Sequence, residues 1–116
     1  MPPTFKKIKD RILGRRYDLS FSFVPPAAMK RLNRAYRGKN APTDILSFPL
    51  TEHEGEIIIC KSEVTKRAPN FDLSARHYLT FIFIHGCLHL KGLDHGRIME
   101  KLEDSWCRTF KVPLVR

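Results

Sequence analysis

The sequence predicts a small α+β domain of two or three layers, with a mixed sheet of about four strands covered by helices and a metal site at the end of a long helix. Three observations favour this class. Short apolar runs with alternation or β-branched residues predict strands, longer runs with helical periodicity predict helices, and the two kinds of run are interspersed along the chain. A length of 116 residues, 42% of them hydrophobic, suits one folded domain over residues 1–116.

The chain begins with a predicted basic helix followed by a predicted strand. Phe5, Ile8 and Ile12 recur at helical spacing, and Gly14 follows as a stop signal. Residues 17–24 alternate apolar side chains with serines, which is typical of a strand with one buried face.

A second helix is predicted from Pro26 to the stop signal at Gly38. One face would carry Met29, Leu32 and Tyr36. The other would carry Lys30, Arg34 and Arg37, which fall within about 60° of one another around the helix. By itself, such a basic stripe is typical of a solvated face.

Two further strands are predicted at 43–50 and 55–60, and Pro49 indicates a sheet edge because proline cannot donate to a ladder. Pro69 interrupts any helix begun near Ser62. A long helix over 73–91 follows.

The last periodic segment, 97–110, predicts an amphipathic C-terminal helix. Its expected apolar stripe contains Met99, Leu102, Trp106 and Phe110.

The charge balance favours a polyanionic partner. Lysine and arginine number 21 against 12 acidic residues, which gives a net charge of +9 and makes nucleic acid the first candidate. The longest apolar run is too short to span a bilayer, and the N-terminal segment lacks the features of a signal peptide, so we expect a cytoplasmic protein without membrane association. Three cysteines without a CxxC pair predict reduced thiols.

The stretch "HGCLHLKGLDH" predicts a metal site. His85 and His89 lie one helical turn apart, about 40° around the axis, so both imidazoles can reach one ion. Gly92 allows a left-handed turn that returns the chain and brings in His95. Three imidazoles without a fourth protein ligand suit one catalytic zinc ion with an open coordination position. His53 and His77 are expected to be structural, and Cys87 to face the core.

The histidine spacing is shared with metzincin proteases, but those enzymes have a glutamate as general base directly after the first histidine. Here that position is Gly86. We expect the glycine to leave room over the metal for a bulky substrate; close packing of the helix is an equally physical explanation. The missing carboxylate disfavours a metalloprotease.

Three segments in order, "LNRAYRGKNAPTDILSFP" (32–49), "GEIIIC" (55–60) and "HGCLHLKGLDH" (85–95), resemble the YbeY family of bacterial rRNA-maturation factors. The family patterns are LNxxYRxxxxxTDVLSFP and HGxLHLxGxDH, and the resemblance runs over residues 17–112. Leu93 departs from the family, which often has tyrosine there.

This resemblance implies a zinc-dependent endoribonuclease specific for single-stranded RNA, acting on rRNA of the small ribosomal subunit in 16S 3′-end maturation and in ribosome quality control. It implies that His85, His89 and His95 bind zinc. Arg37 would face the metal across the cleft as a catalytic residue. Asp44 and Asp94 would order loops around the site.

Lys30 and Arg34, on the same helix face as Arg37, would hold flanking phosphates of the RNA. Two other functions stay open at this point. One is a non-catalytic, metal-stabilised rRNA-binding assembly factor, and the other, disfavoured as above, is a metalloprotease.

Overall fold

The computed structural model describes residues 1–114, which form an α+β fold with five α-helices and three strands. The helices are α1 (Pro3–Ile12), α2 (Pro26–Arg37), α3 (Lys61–Arg67), α4 (Ala75–Leu90) and α5 (Arg97–Thr109). The strands are β1 (Asp18–Phe23), β2 (Ile45–Thr51) and β3 (Glu54–Ile59), and a short 3₁₀ helix (Ala68–Phe71) follows α3. The predicted class is confirmed. Each of the three segments predicted as strands forms one strand, and no other described segment does. The sheet therefore has three strands, where about four were expected.

The sheet is mixed, with strand order β1-β3-β2. β1 runs parallel to β3, and β2 runs antiparallel to it. β2 is therefore an edge strand, as Pro49 predicted, and the pairing has an irregularity between Pro49 and Thr51.

Apolar side chains cover both faces of the sheet, which gives three layers. On one face, Ile57 and Ile59 belong to a large core formed with α1, α4 and α5. Phe5 of α1 stacks on Phe83 of α4 there, with ring centroids 4.1 Å apart. On the other face, Ile58 belongs to a smaller cluster that includes Met29 of α2. The alternation along β3 explains this arrangement, since neighbouring side chains of a strand point to opposite faces.

The predicted apolar face of α2 is wrong at one position. Tyr36 is 66% exposed, whereas Asn33 is buried. The Asn33 side-chain amide donates a hydrogen bond to the carbonyl of Ala41 at 2.8 Å. This bond fixes the loop between α2 and β2. The helical spacing of apolar residues cannot reveal such a polar role.

The predicted stripe of α5 is shifted by one position along most of the helix. Met99, Glu103 and Cys107 are buried, while Leu102 is 36% exposed. Trp106 and Phe110 are partly buried at the margin of the core. The prediction missed the inward face because one of its three residues is a carboxylate.

The cysteines of residues 1–114 are free, as predicted, and they are buried. Cys87 belongs to the large core, and burial raises the pKa of its thiol. No helix within residues 1–114 has the length and apolar character needed to cross a membrane.

Gly86 faces the sheet and not the space above the histidines. A Cβ atom on it would lie 2.8 Å from Ile45 Cδ1, 2.8 Å from Ser47 Oγ and 3.2 Å from Ile57 Cδ1. The expectation that Gly86 makes room for substrate is therefore wrong, and close packing of α4 on the sheet is the reason for this glycine.

We predict that Gly86→Val lowers the free energy of unfolding by about 1–3 kcal/mol or more, since the added methyl groups overpack the contact between α4 and the sheet. Chemical denaturation measures this. Ala35→Val, at an exposed position of α2, is the control and should cost only a few tenths of a kcal/mol. Equal effects of the two substitutions would contradict the packing explanation.

Candidate metal centre

Three histidines converge at the end of α4. His85 and His89 lie one turn apart on this helix, with ring centroids separated by 4.5 Å. The helix ends at Leu90, and Gly92 adopts a left-handed φ of +102° that turns the chain back. The ring of His95 then lies 5.1 Å from that of His85 and 4.6 Å from that of His89. One ligand atom from each residue can be chosen so that all three lie within 4.8 Å of one another.

Hydrogen bonds fix which ring nitrogens of His85 and His89 carry hydrogen. His85 Nδ1 lies 2.5 Å from Glu103 Oε2, and His89 Nδ1 lies 2.9 Å from the Leu93 carbonyl oxygen. A carboxylate and a carbonyl only accept hydrogen bonds, so both Nδ1 atoms donate. In the neutral rings both Nε2 atoms therefore have free lone pairs.

These two Nε2 atoms lie 3.0 Å apart. Two lone pairs at that distance repel each other unless a cation lies between them. The separation is compatible with two nitrogens each about 2.0–2.1 Å from one zinc ion. The donor set therefore fits a divalent metal, with His95 as the third nitrogen ligand.

Glu103, on α5, is a residue of the site that the sequence analysis missed. Its side chain is buried and pairs with His85. Carboxylates that accept from a ligating histidine fix the ring orientation and raise the basicity of the ligand. A signal was present in the sequence, since Glu103 lies four residues from both Met99 and Cys107 on the inward face of an amphipathic helix.

Burial lowers the pKa of His89, and the neighbouring His85 lowers it further. A lowered pKa keeps the imidazole neutral to more acidic pH. Because only the neutral ring binds a metal, His89 is held in its binding form. The bond to residue 93 comes from its backbone carbonyl, so the departure from the family at Leu93 leaves it intact.

The histidines line a cleft of about 730 Å³. Arg37, exposed at the end of α2, lines the same cleft, as do Asp44 and Asp94. Lys30 and Arg34 are exposed on α2 outside the cleft. Of the three basic residues of the stripe, Arg37 alone therefore lines the cleft together with the histidines.

Asp44 joins the start of β2 to the helices beside the cleft. Its carboxylate accepts hydrogen bonds from the Tyr78 hydroxyl at 2.6 Å and from the Ile45 backbone N–H at 2.8 Å. Arg67 of α3 pairs with it at 3.4 Å. Burial, followed by the Asp44 contact, raises the pKa of Tyr78. By contrast, the side chain of Asp94 is exposed and forms no hydrogen bond or ion pair with any residue of 1–114.

His53 and His77 lie outside the site, as expected. His53 is in the turn between β2 and β3, and its side chain is 84% exposed. The backbone N–H of His77 donates to Ser74 Oγ at the start of α4.

The sequence matches the profile of the family described as Endoribonuclease YbeY over residues 4–111. Similar curated proteins carry the same name. One, from Thermodesulfovibrio yellowstonii, is 44% identical, and the match covers 75% of this chain and 63% of the relative. Another, from Buchnera aphidicola, is 35% identical, and the match covers 87% of this chain and 75% of the relative.

A protein from Thermotoga maritima with a solution structure has a similar fold. Its TM-score is 0.66 at 28% sequence identity, and the match covers 95% of this chain and 84% of that one. Coverage of the curated relatives is lower, and the chain spans less than two thirds of the Thermodesulfovibrio yellowstonii protein.

We predict that Glu103→Gln weakens metal binding by about 10- to 100-fold, because the amide lacks the charge that orients and polarises His85. Titration against a chelator of known affinity measures this, and His89→Ala, which removes a ligand, defines complete loss. Glu100→Gln is the matched control, since Glu100 lines the cleft on the same helix but its side chain forms no hydrogen bond or ion pair with a histidine in the described chain. An unchanged affinity in Glu103→Gln would refute the orienting role.

Proposed function

This chain belongs to the YbeY family, and from that membership together with the histidine cluster we propose that it is a metal-dependent endoribonuclease that cuts single-stranded RNA. The observation that carries the proposal is the pair of Nε2 lone pairs directed at one point, in a cleft that also contains Arg37. We propose zinc as the ion, since three imidazoles without a carboxylate are typical of its catalytic sites.

Cleavage of a phosphodiester builds negative charge on the non-bridging oxygens of the phosphate, so the cleft needs positive charge directed there. The bound metal would supply one concentrated charge at the histidine nitrogens. Arg37 would supply a second, because a guanidinium donates two parallel hydrogen bonds to phosphate oxygens. Glu103 would keep the His85 ring in the binding orientation throughout.

The substrate proposal rests on charge and shape. A net charge of +9 attracts RNA over a long range, and Lys30 and Arg34 would hold phosphates that flank the cleft. A flexible single strand can bend into such a cleft, whereas a rigid A-form duplex exposes its phosphates at fixed spacing. From the family resemblance we further propose that the substrate is small-subunit rRNA, with roles in 16S 3′-end maturation and ribosome quality control in the cytoplasm.

We predict that metal-loaded protein cuts the loop of an RNA hairpin faster than its stem, and that a chelator stops the cutting. Gel analysis of an end-labelled hairpin gives both rates. Affinity should fall steeply between low and physiological salt, because binding releases counterions. Equal rates in stem and loop would contradict single-strand specificity, and metal-loaded protein that binds RNA without cutting it would indicate the non-catalytic assembly factor.

Arg37→Ala should reduce the single-turnover cleavage rate by about 10²- to 10³-fold, because it removes a charge that acts on the transition state. Metal content and folding should stay as in the wild type, since Arg37 is exposed. Affinity for RNA should fall by no more than the loss of one phosphate contact would cause.

Lys30→Ala is the control for Arg37→Ala. Lys30 is an exposed basic residue on the same helix but outside the cleft, so its loss should weaken binding modestly and leave the single-turnover rate nearly intact. If both variants weakened binding alike and cut at the wild-type rate, Arg37 would be an ordinary surface charge.

A further inference from the structure

Phe71 is an exposed aromatic side chain inside the cleft. It lies at the end of the 3₁₀ helix, lines the cleft together with His85 and Arg37, and is 45% exposed. The other two aromatic residues that line the cleft, Tyr78 and Phe81, are 3% and 8% exposed. Phe71 therefore offers the cleft an aromatic surface that the others do not.

One face of the Phe71 ring is covered and held from behind. Tyr78 stacks against it, with ring centroids 4.9 Å apart and an interplanar angle of 29°. Tyr78 is itself fixed by its hydroxyl bond to Asp44, and Asp44 pairs with Arg67. Because Phe71 is 45% exposed and lines the cleft, part of its exposed surface borders the cleft. Such a ring binds a flat partner at low entropic cost, because little remains to be ordered.

The aromatic side chains form a row that leads to the metal-binding histidines. The ring centroids of Phe71 and Phe81 are 6.0 Å apart, and those of Phe81 and His85 are 6.3 Å apart. A ligand that combines a flat apolar group with a nearby anion is therefore suited to contact both Phe71 and the histidine site. Nucleotides have this combination, with the base on one side and the phosphate on the other.

We infer that Phe71 is the stacking platform for one base of the RNA strand, beside the phosphate that is cut. This inference rests on the proposed function and names a contact within the same cleft. Every base has a flat face, so stacking here would add affinity with little sequence preference. A duplex could not use the platform without unstacking a base, which adds a reason for single-strand specificity.

The test measures affinity for a fluorescent single-stranded RNA by anisotropy, at a temperature at which a gel shows that the RNA stays intact. Phe71→Ala should raise the dissociation constant by about 5- to 150-fold, the range found when a stacking aromatic is removed. Phe71→Leu should lose nearly as much, because leucine keeps the apolar contact with Tyr78 but has no flat face. Phe71→Trp should bind as well as the wild type.

Phe23→Ala is the matched control. Phe23 has a similar exposure of 37% but lies on β1, at the opposite edge of the sheet from β2 and outside the cleft. Its replacement should leave the dissociation constant unchanged. Thermal melting and metal content of every variant show whether the fold and the metal site are intact.

RNAs with a single abasic residue at successive positions locate the stacked base. For the wild type, one abasic position should weaken binding as much as Phe71→Ala does, and the same RNA should cause no further loss in the variant. If the wild type binds and cuts RNA while folded Phe71→Ala and Phe71→Leu bind as tightly, the stacking inference is overturned and the proposed function stands. If the wild type binds no RNA, both are overturned.

Discussion

The site depends on two hydrogen bonds that the Nδ1 atoms of His85 and His89 donate. Together they direct two Nε2 lone pairs to one point, an arrangement that is unfavourable until a cation is bound. One acceptor is a backbone carbonyl that is available only because the chain turns at Gly92 after α4 ends. The other is Glu103, which α5 buries against α4. The end of α4, the turn and the packing of α5 are therefore all parts of one candidate metal site.

The sheet holds α4 in place, and the cleft lies beside β2, at a free edge of the sheet. α4 approaches the sheet closely because position 86 has no side chain, and β3 supplies apolar contacts on both faces. α2 lies on the opposite face of the sheet from α4, yet Arg37 at its end reaches the cleft. No described strand extends beyond β2 at this edge to separate them. The Asn33 hydrogen bond to Ala41 holds the loop after α2 in place. Arg37 of α2 can therefore line the cleft that α4 forms on the other side of the sheet.

The sequence predicted the secondary-structure elements and the convergence of the three histidines well, because their signals are local. The alternation in β1, the stop at Gly38 and the spacing of the three histidines each depend on neighbouring residues. Residues that act across the fold were harder to predict. Helical spacing indicates that Glu103 faces inward, but its partner His85 lies 18 positions away on another helix. The packing of Gly86 against two strands likewise depends on the tertiary fold. The helical spacing of apolar residues predicts that Tyr36 and Leu102 face inward. Asn33 and Glu103 occupy the inward positions instead, because their polar groups form hydrogen bonds there.

In the proposed nuclease, the distribution of charge separates the attraction of RNA from its cleavage. The chain has a net charge of +9, but the cleft is lined by Asp44, Asp94, Glu100 and Glu103, with Arg37 as the one lysine or arginine among the described lining residues. Without a metal, the local charge would oppose entry of a phosphate even though the net charge of the chain is positive. A divalent ion bound to the histidines would offset part of this negative charge, because it would add two positive charges where the acids are concentrated. In the proposed nuclease, metal loading would therefore reduce the repulsion of the substrate phosphate as well as support the reaction, while the basic residues outside the cleft would bind RNA in either state.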